Sequence, residues 1–407
     1  MKVIIINTFY KGTSTGKIAT GMYDKLIEEG NQCKLLYGCG KTSSNPDFVK
    51  LDTEFDIRLQ WAANQITGIH SAFSPFVMPR IKKILDEFKP DIVQLYNLHY
   101  YYLDIYKLFF LLKERNIPIV YGMLDEYPYV GYCCYAYDCD QYQTGCKKCD
   151  YRQFKKSYPR NIFRNGAAKT IQLKKKAYDD YNKLVFTAPQ WVIERARKSY
   201  LLRNKKMEIV DEFVDNEKVF VPRNAVALRK QMNIPDGDII LLNVAPSNDK
   251  RKGVDYYIKL AEIMKGLQYT FIHVGYQGES SGLPDNFRAV GFVSDQILLS
   301  EYYSLADAFV CTSIADTMPN SCLDALSCGT PIIGFDVTGI PYVAETPLGK
   351  FVEVGDVEMM KNEVLQVKRK NMDIIKLCRE YSLKRYSPKV YFEKIKAVYE
   401  KLISENS

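Results

Sequence analysis

The sequence predicts an α/β chain with two doubly wound domains whose parallel sheets face a cleft between them. Three observations predict it. The 407 residues exceed one ordinary core and suit two domains of roughly 200 residues each. Short apolar runs alternate with helix-like stretches, as parallel strands joined by right-handed crossovers require. The same rhythm then restarts halfway along the chain, which makes two such units in tandem.

Taken in order, KVIIINT reads as a buried strand. A loop containing glycine and a helix over about Lys17 to Glu29, closed by Gly30, come next. CKLLYG, DIVQLYN, IPIVYGML and LVFTAP read as further strands, and LDIYKLFFLLKER and WVIERARKSY as helices. The second half opens with the strand DIILLNVA and the helix VDYYIKLAEIM. YTFIHVG, FRAVGFV, AFVCTS and TPIIGFD continue the strand pattern. The expected division is 1–203 for the first domain, with a cysteine-rich insertion at about 122–151, and 204–385 for the second. A last helix within 386–407 fits on either domain and is grouped here with the first.

Apolar residues form 47% of the chain and charged residues 26%, as in ordinary folded proteins. No run reaches the ~18 apolar residues of a membrane span. MKVIIINTFYKG is a poor signal peptide, because its apolar run is short and leads into a Gly/Thr/Ser loop. The expected location is therefore cytoplasmic. Six of the eleven cysteines, Cys33, Cys39, Cys311, Cys322, Cys328 and Cys378, are scattered and read as small buried hydrophobes. The other five, Cys133, Cys134, Cys139, Cys146 and Cys149, fall within 17 residues. The net charge of +8 is also uneven, since residues 147–176 hold eleven Lys or Arg against Asp150 alone. That stretch reads as a solvated helix face, or as a surface for an anionic membrane or a diphosphate-bearing acceptor. No nucleic-acid motif accompanies it, so nucleic acid is not an expected partner.

DTMPNSCLDALSCGTPIIGFD, residues 316–336, carries the strongest chemical signal. Asp316 falls in a loop, and Asp324 on the helix opened by Pro319, Asn320 and Ser321. A helix N-terminus offers free N–H groups and a positive dipole to a diphosphate or sugar hydroxyl. A carboxylate on such a helix accepts hydrogen bonds from a ribose diol. Taken alone, the two acids read equally as a cap and a solvent-facing residue. VAPSNDKRKGVDYYIKLAEIM, residues 244–264, places Arg251 and Lys252 between a strand and a helix. A fixed cation there stabilises the charge that develops on a leaving diphosphate. In YKGTSTGK, residues 10–17, Gly12 and Gly16 let backbone approach an anion. This is not a Walker loop, because Ile18 follows the Gly-Lys pair. His99 ends the strand DIVQLYN, where cleft residues are expected, although a structural histidine fits as well.

Together these stretches resemble retaining glycosyltransferases of family 4, which have the GT-B fold: two Rossmann-like domains with parallel sheets facing an interdomain cleft. The resemblance runs from Met1 to about Lys401. It implies that Asp316 binds the transferred sugar and Asp324 the ribose. Lys252 and Arg251 then neutralise the diphosphate, and Gly291, Phe292 and Val293 run past the base. Gly12 and Gly16 then lie in the loop that faces donor and acceptor, and His99, which the acceptor passes, and Asp125 are carried over as catalytic residues. The family carries glutamates where this chain has Asp316 and Asp324, a His where it has Leu124, and Asn-Gly where it has Glu212-Phe213. GMLDEYPYVGYCCYAYDCDQYQTGCKKCDY, residues 122–151, resembles an insertion in the bacterial capsule, O-antigen and exopolysaccharide subset. That match falls on Cys133, Cys139, Cys146 and Cys149, with Cys134 extra. A structural zinc ion suits the closing C-x-x-C, while free thiols or disulfides remain alternatives.

The expected activity is therefore retaining transfer of a hexose or deoxyhexose from a nucleotide-diphosphate donor, UDP first and GDP next. The expected acceptor is a lipid-diphosphate-linked saccharide at the inner face of the cell membrane, and no cofactor is needed for the chemistry. A nucleotide-sugar epimerase of the same fold and a non-catalytic nucleotide-sugar-binding partner are the rival readings.

Overall fold

Val3 through Ile6 have no exposed surface, as a strand covered on both faces requires. They form the centre of β1 (Lys2–Asn7) in a computed structural model that describes residues 1–51, 54–150, 161, 163–279 and 281–405. The chain divides into two units, one of Met1–Val210 with Phe392–Ser407 and the other of Asp211–Tyr391.

In the first unit β1 is joined by β2 (Gln32–Tyr37), β3 (Phe48–Lys50), β4 (Ile92–Leu95), β5 (Ile119–Gly122), β6 (Leu184–Ala188) and β7 (Lys206–Ile209). Their order is β3-β2-β1-β4-β5-β6-β7, and every pair is parallel. Helices including Ser14–Glu28, Ile105–Glu114, Ala167–Tyr178 and Gln190–Lys198 make the connections. The strand order reverses between β1 and β4. In such sheets the loops at the carboxyl ends of the two strands diverge and open a crevice.

The second unit repeats this plan with β8 (Ile239–Val244), β9 (Tyr269–Val274), β10 (Phe287–Val290), β11 (Ala308–Cys311), β12 (Ile332–Phe335) and β13 (Gly349–Val352). The order is β10-β9-β8-β11-β12-β13, again parallel throughout, with its reversal between β8 and β11. Leu241, Leu242, Phe309 and Val310 sit in the buried core on its central strands. Among the described residues, no helix is long and apolar enough to cross a membrane.

The division falls at Val210/Asp211 and Tyr391/Phe392, a few residues beyond the expected 203 and 386. β7 pairs with β6 and holds the chain in the first sheet up to Ile209. At the return, Tyr386 donates its hydroxyl to the Val343 carbonyl at 2.6 Å, and the Tyr391 ring lies 4.9 Å from Phe213. The last helix, Pro388–Ser404, then rejoins the first unit. There the Tyr399 hydroxyl donates to Gln94 Oε1 on β4 at 2.9 Å, and Lys396 pairs with Glu29 at 2.6 Å.

Part of the basic stretch 147–176, namely 151–160 and 162, lies outside the described residues. Lys174, counted within it as surface charge, is buried instead. Its ammonium donates to the carbonyls of Tyr127 and Val130 and lies 3.5 Å from the Tyr127 ring centroid.

Lys370 is another interior lysine, donating to Thr330 Oγ1 at 2.8 Å and to the Tyr303 carbonyl. Burial lowers its pKa to about 8, against the pull of Asp307 in the other direction. Between about 8 and the ordinary 10.5, the unfolded chain holds a proton that the folded chain has released, so stability rises with pH across that window. The rise is on the order of 3 kcal/mol. Lys370→Met is expected to abolish it, as read by denaturant titrations from pH 7.5 to 10.5.

Candidate functional site

The carboxyl end of β8 leads to Asp249, whose carboxylate accepts from Arg251 N at 3.0 Å and caps the single 3₁₀ turn Lys250–Lys252. Gly253 follows at φ +61°, and a Cβ there would stand 2.1 Å from the Thr312 carbonyl oxygen. Only glycine lets the turn press this closely on the end of β11. The two loops are joined further where Ile314 N donates to the Arg251 carbonyl at 2.9 Å and Thr312 Oγ1 donates to the Lys252 carbonyl at 3.1 Å.

This joining brings three predicted residues together. Lys252 Nζ lies 2.6 Å and Arg251 Nη1 3.2 Å from the same atom, Asp316 Oδ2. Arg251 also donates to the Ala315 carbonyl at 2.8 Å and reaches Asp249 at 3.1 Å. Asp316 is 7% exposed. Burial pushes its pKa up, but Lys252 and Arg251 outweigh that and hold it below the ordinary 3.8. The backbone of Asp316 is fixed from the loop after β12: its N–H donates to Thr338 Oγ1, and its carbonyl accepts from Gly339 N, each at 2.9 Å.

The helix Asn320–Ser327 begins directly after Pro319, with no side chain capping it. Pro319, Asn320 and Ser321 therefore stand at a helix start, as the sequence predicts, and first-turn N–H groups remain for an acceptor. Asp324 sits mid-helix, half-buried, with its charge felt by the buried Tyr303 and Cys328. Gly291, Phe292 and Val293 continue from β10. Gly275 N donates to the Gly291 carbonyl at 3.2 Å, and Phe292 is 82% exposed.

In the first unit, Gly12 and Gly16 flank Thr13, whose hydroxyl accepts from Gly16 N at 3.1 Å and caps the helix Ser14–Glu28. Asn7, at the end of β1, donates to the carbonyls of Phe9 and Thr15. Its Oδ1 accepts from Asn97 N at 3.1 Å, which ties this loop to the one bearing His99. His99 Nε2 lies 2.5 Å from Asp125 Oδ2, and Asp125 Oδ1 accepts from Tyr127 N at 2.9 Å. Cys134, which the sequence leaves without a role, has its sulfur 3.5 Å from His99 Nε2. All three side chains are buried. Leu124, the residue before Asp125, is half-buried.

Cys133, Cys139, Cys146 and Cys149 line one cavity, walled also by Tyr132 and Tyr142. All are free thiols. Burial raises Cys133 well above its ordinary pKa, and Glu126 and the other three cysteines raise it further. Cys146 and Cys149 are pushed up to about 11 and about 12, mainly by burial. Among the described residues, these four do not come within 4.8 Å of one another as a group of three, whereas His99, Asp125 and Cys134 do.

Residues 238–369 match the family described as glycosyl transferases group 1. The matched residues lie within the second unit. The chain is similar to alpha-galactosylglucosyldiacylglycerol synthase of Streptococcus pneumoniae (strain ATCC BAA-255 / R6), 28% identical over 212 residues that cover 48% of this chain and 54% of that protein. It spans about half the length of the curated relatives it matches. In fold it matches sucrose-phosphate synthase from Thermosynechococcus elongatus, with a TM-score of 0.71 and 14% identity over 99% of both chains. It also matches Anabaena HepE in complex with UDP, with a TM-score of 0.66 and 12% identity over 98% of this chain and 100% of that one. Its two parallel-sheet α/β units are those of GT-B structures.

Because its folded pKa is depressed, ionised Asp316 contributes stability that is present above about pH 4 and lost as pH falls through the folded value. Asp316→Asn is expected to cost roughly 1–3 kcal/mol at pH 7. Chemical denaturation should show the gap between the two proteins closing below pH 4.

Proposed function

We propose that the chain is a retaining glycosyltransferase. It moves a hexose or deoxyhexose from a nucleotide-diphosphate donor to a lipid-linked saccharide acceptor in the building of surface polysaccharide, at the cytoplasmic face of the membrane. One observation carries this reading: Lys252 and Arg251 converge on one oxygen of Asp316 at the reversal point of a parallel sheet. Two cations, shared between Asp316 and Asp249, thus stand where an anionic ligand of such a sheet docks. The group 1 match over 238–369 and the UDP complex of a fold relative support a nucleotide-sugar donor. The name of the pneumococcal relative supports a lipid-bearing acceptor.

In this reading the diphosphate takes the place of Asp316 at Lys252 and Arg251 and also meets the helix start at Pro319, Asn320 and Ser321. Asp324 takes the ribose, Asp316 a sugar hydroxyl, and Gly291 to Val293 the base. The anomeric carbon–oxygen bond to phosphate breaks as the acceptor oxygen bonds to that carbon on the same face. The leaving phosphate oxygen receives the acceptor proton, so no protein base is required. Gly12, Gly16, His99 and Asp125 serve the acceptor side. Cys133, Cys139, Cys146 and Cys149 would hold a zinc ion that fixes their loop and takes no part in transfer.

A calorimetric panel of UDP-, GDP- and dTDP-sugars tests the donor. UDP-sugars are expected to bind best, and Lys252→Met should lower kcat/KM about 10²–10³-fold, the effect of removing one donor that stabilises developing negative charge. Unchanged binding and turnover in Lys252→Met would overturn the assignment. Leu124 is proposed to face a donor sugar without a 6-hydroxyl. Competition between matched 6-hydroxy and 6-deoxy donors should favour the deoxy sugar, and a strong preference for the hydroxylated one rejects this role.

A further inference from the structure

We infer that His99, Asp125 and Cys134 form a binding site for a divalent zinc-class cation, separate from the four-cysteine cavity. Their donor atoms all lie within 4.8 Å of one another, and all three residues are buried. They come from three segments: the loop after β4, the loop after β5 and the cysteine-rich segment.

The spacing is already close to that of a coordination shell. In tetrahedral zinc, with Zn–S about 2.3 Å and Zn–N about 2.0–2.1 Å, a sulfur and a nitrogen on one ion stand about 3.6 Å apart. Cys134 Sγ lies 3.5 Å from His99 Nε2 but also 3.6 Å from Nδ1, so the imidazole has to turn to aim Nε2 at a shared ion. The histidine and the carboxylate, hydrogen-bonded at 2.5 Å, need to open by roughly 0.9 Å to share an ion. Asp125 keeps its direction during that opening, because Oδ1 is held by Tyr127 N at 2.9 Å. The imidazole is backed by the Tyr127 ring, whose centroid is 5.0 Å away.

The donor set also selects the ion. One thiolate and one carboxylate balance the two charges of the cation, and a neutral imidazole completes three protein ligands. Sulfur and imidazole donors suit zinc and disfavour magnesium or calcium, which take oxygen shells. With three protein donors the ion keeps a fourth position. Bound there, it would clasp the loops after two adjacent strands to the start of the cysteine-rich segment, and it gives the fifth cysteine of that segment a role.

The full chain, stripped with a chelator, is titrated with Zn²⁺, and with Co²⁺ for spectroscopy. His99→Ala and Cys134→Ser should each bind about one equivalent fewer than the unaltered chain. The Cys139→Ser/Cys149→Ser double variant should keep that equivalent and show a cobalt charge-transfer band of single-thiolate intensity. Should Cys134→Ser fail to fold, Asp125→Asn gives the same readout. Equal metal content in the unaltered chain, His99→Ala and Cys134→Ser overturns the site, as does an unaltered chain that binds no Zn²⁺. Donor binding through Lys252 is measured separately in the second unit, so failure here leaves that assignment standing.

Discussion

Lys252 and Arg251 meet on a single carboxylate oxygen because two parallel strands, β8 and β11, end side by side where the strand order turns. Each parallel strand delivers its following loop to the same edge of the sheet. Only at a reversal do two such loops leave toward opposite faces and open a crevice between them. Here the gap is bridged by backbone, through Ile314 to Arg251 and Thr312 to Lys252, with Gly253 permitting the approach. The two side chains therefore spring from backbone tied to buried strands, and their charged ends are held by Asp316, Asp249 and the Ala315 carbonyl. Such preorganisation lets a charged group stabilise a developing charge without first reorganising.

The first unit uses the same architecture for different chemistry. Asn7 at the end of β1 spans the reversal to Asn97 after β4, and His99 follows two residues later. Its partner Asp125 comes from the next strand along, β5. The buried Lys174 stands close enough for its charge to be felt by Cys134, and it feels Asp125 in turn. A hydrogen-bonded imidazole, a carboxylate and a thiol can orient hydroxyl groups or bind a cation, whereas Lys252 and Arg251 suit an anion. One fold has thus been given two sites with different sets of side-chain donors.

How far the sequence reveals this depends on how local each signal is. Apolar runs such as KVIIINT and DIILLNVA become central strands because burial on both faces demands such residues. β7, KMEI, is an edge strand with most of its positions exposed, so no apolar run marks it and the domain boundary shifts with it. The placement of Asp316 in a loop and Asp324 on a helix is legible from the proline and the glycine turn around them. The support of Asp316 by Thr338, 22 residues away, is not, and neither is Asp249, whose capping role looks like that of any acid before a turn. Lys174 shows the same limit in reverse. A run of lysines reads as solvated charge, yet two carbonyls left unpaired by the loop at Tyr127 and Val130 take this one inside. Cys134 lacks a sequence signal because its partner His99 is 35 residues away.

The shorter acid at position 316 has a mechanical consequence. The family resembled carries glutamate there, with one more methylene to reach into a crevice. An aspartate stays close to its backbone, and here that backbone is fixed at both its N–H and its carbonyl. Its Oδ2 is already occupied by two cations at 2.6 and 3.2 Å. A sugar hydroxyl therefore competes with Lys252 and Arg251 for this carboxylate unless another anion draws them off. A diphosphate can do so, since its charge exceeds that of one carboxylate. In the proposed reading, nucleotide and sugar recognition are coupled through Asp316 Oδ2, which phosphate groups would free by drawing off Lys252 and Arg251.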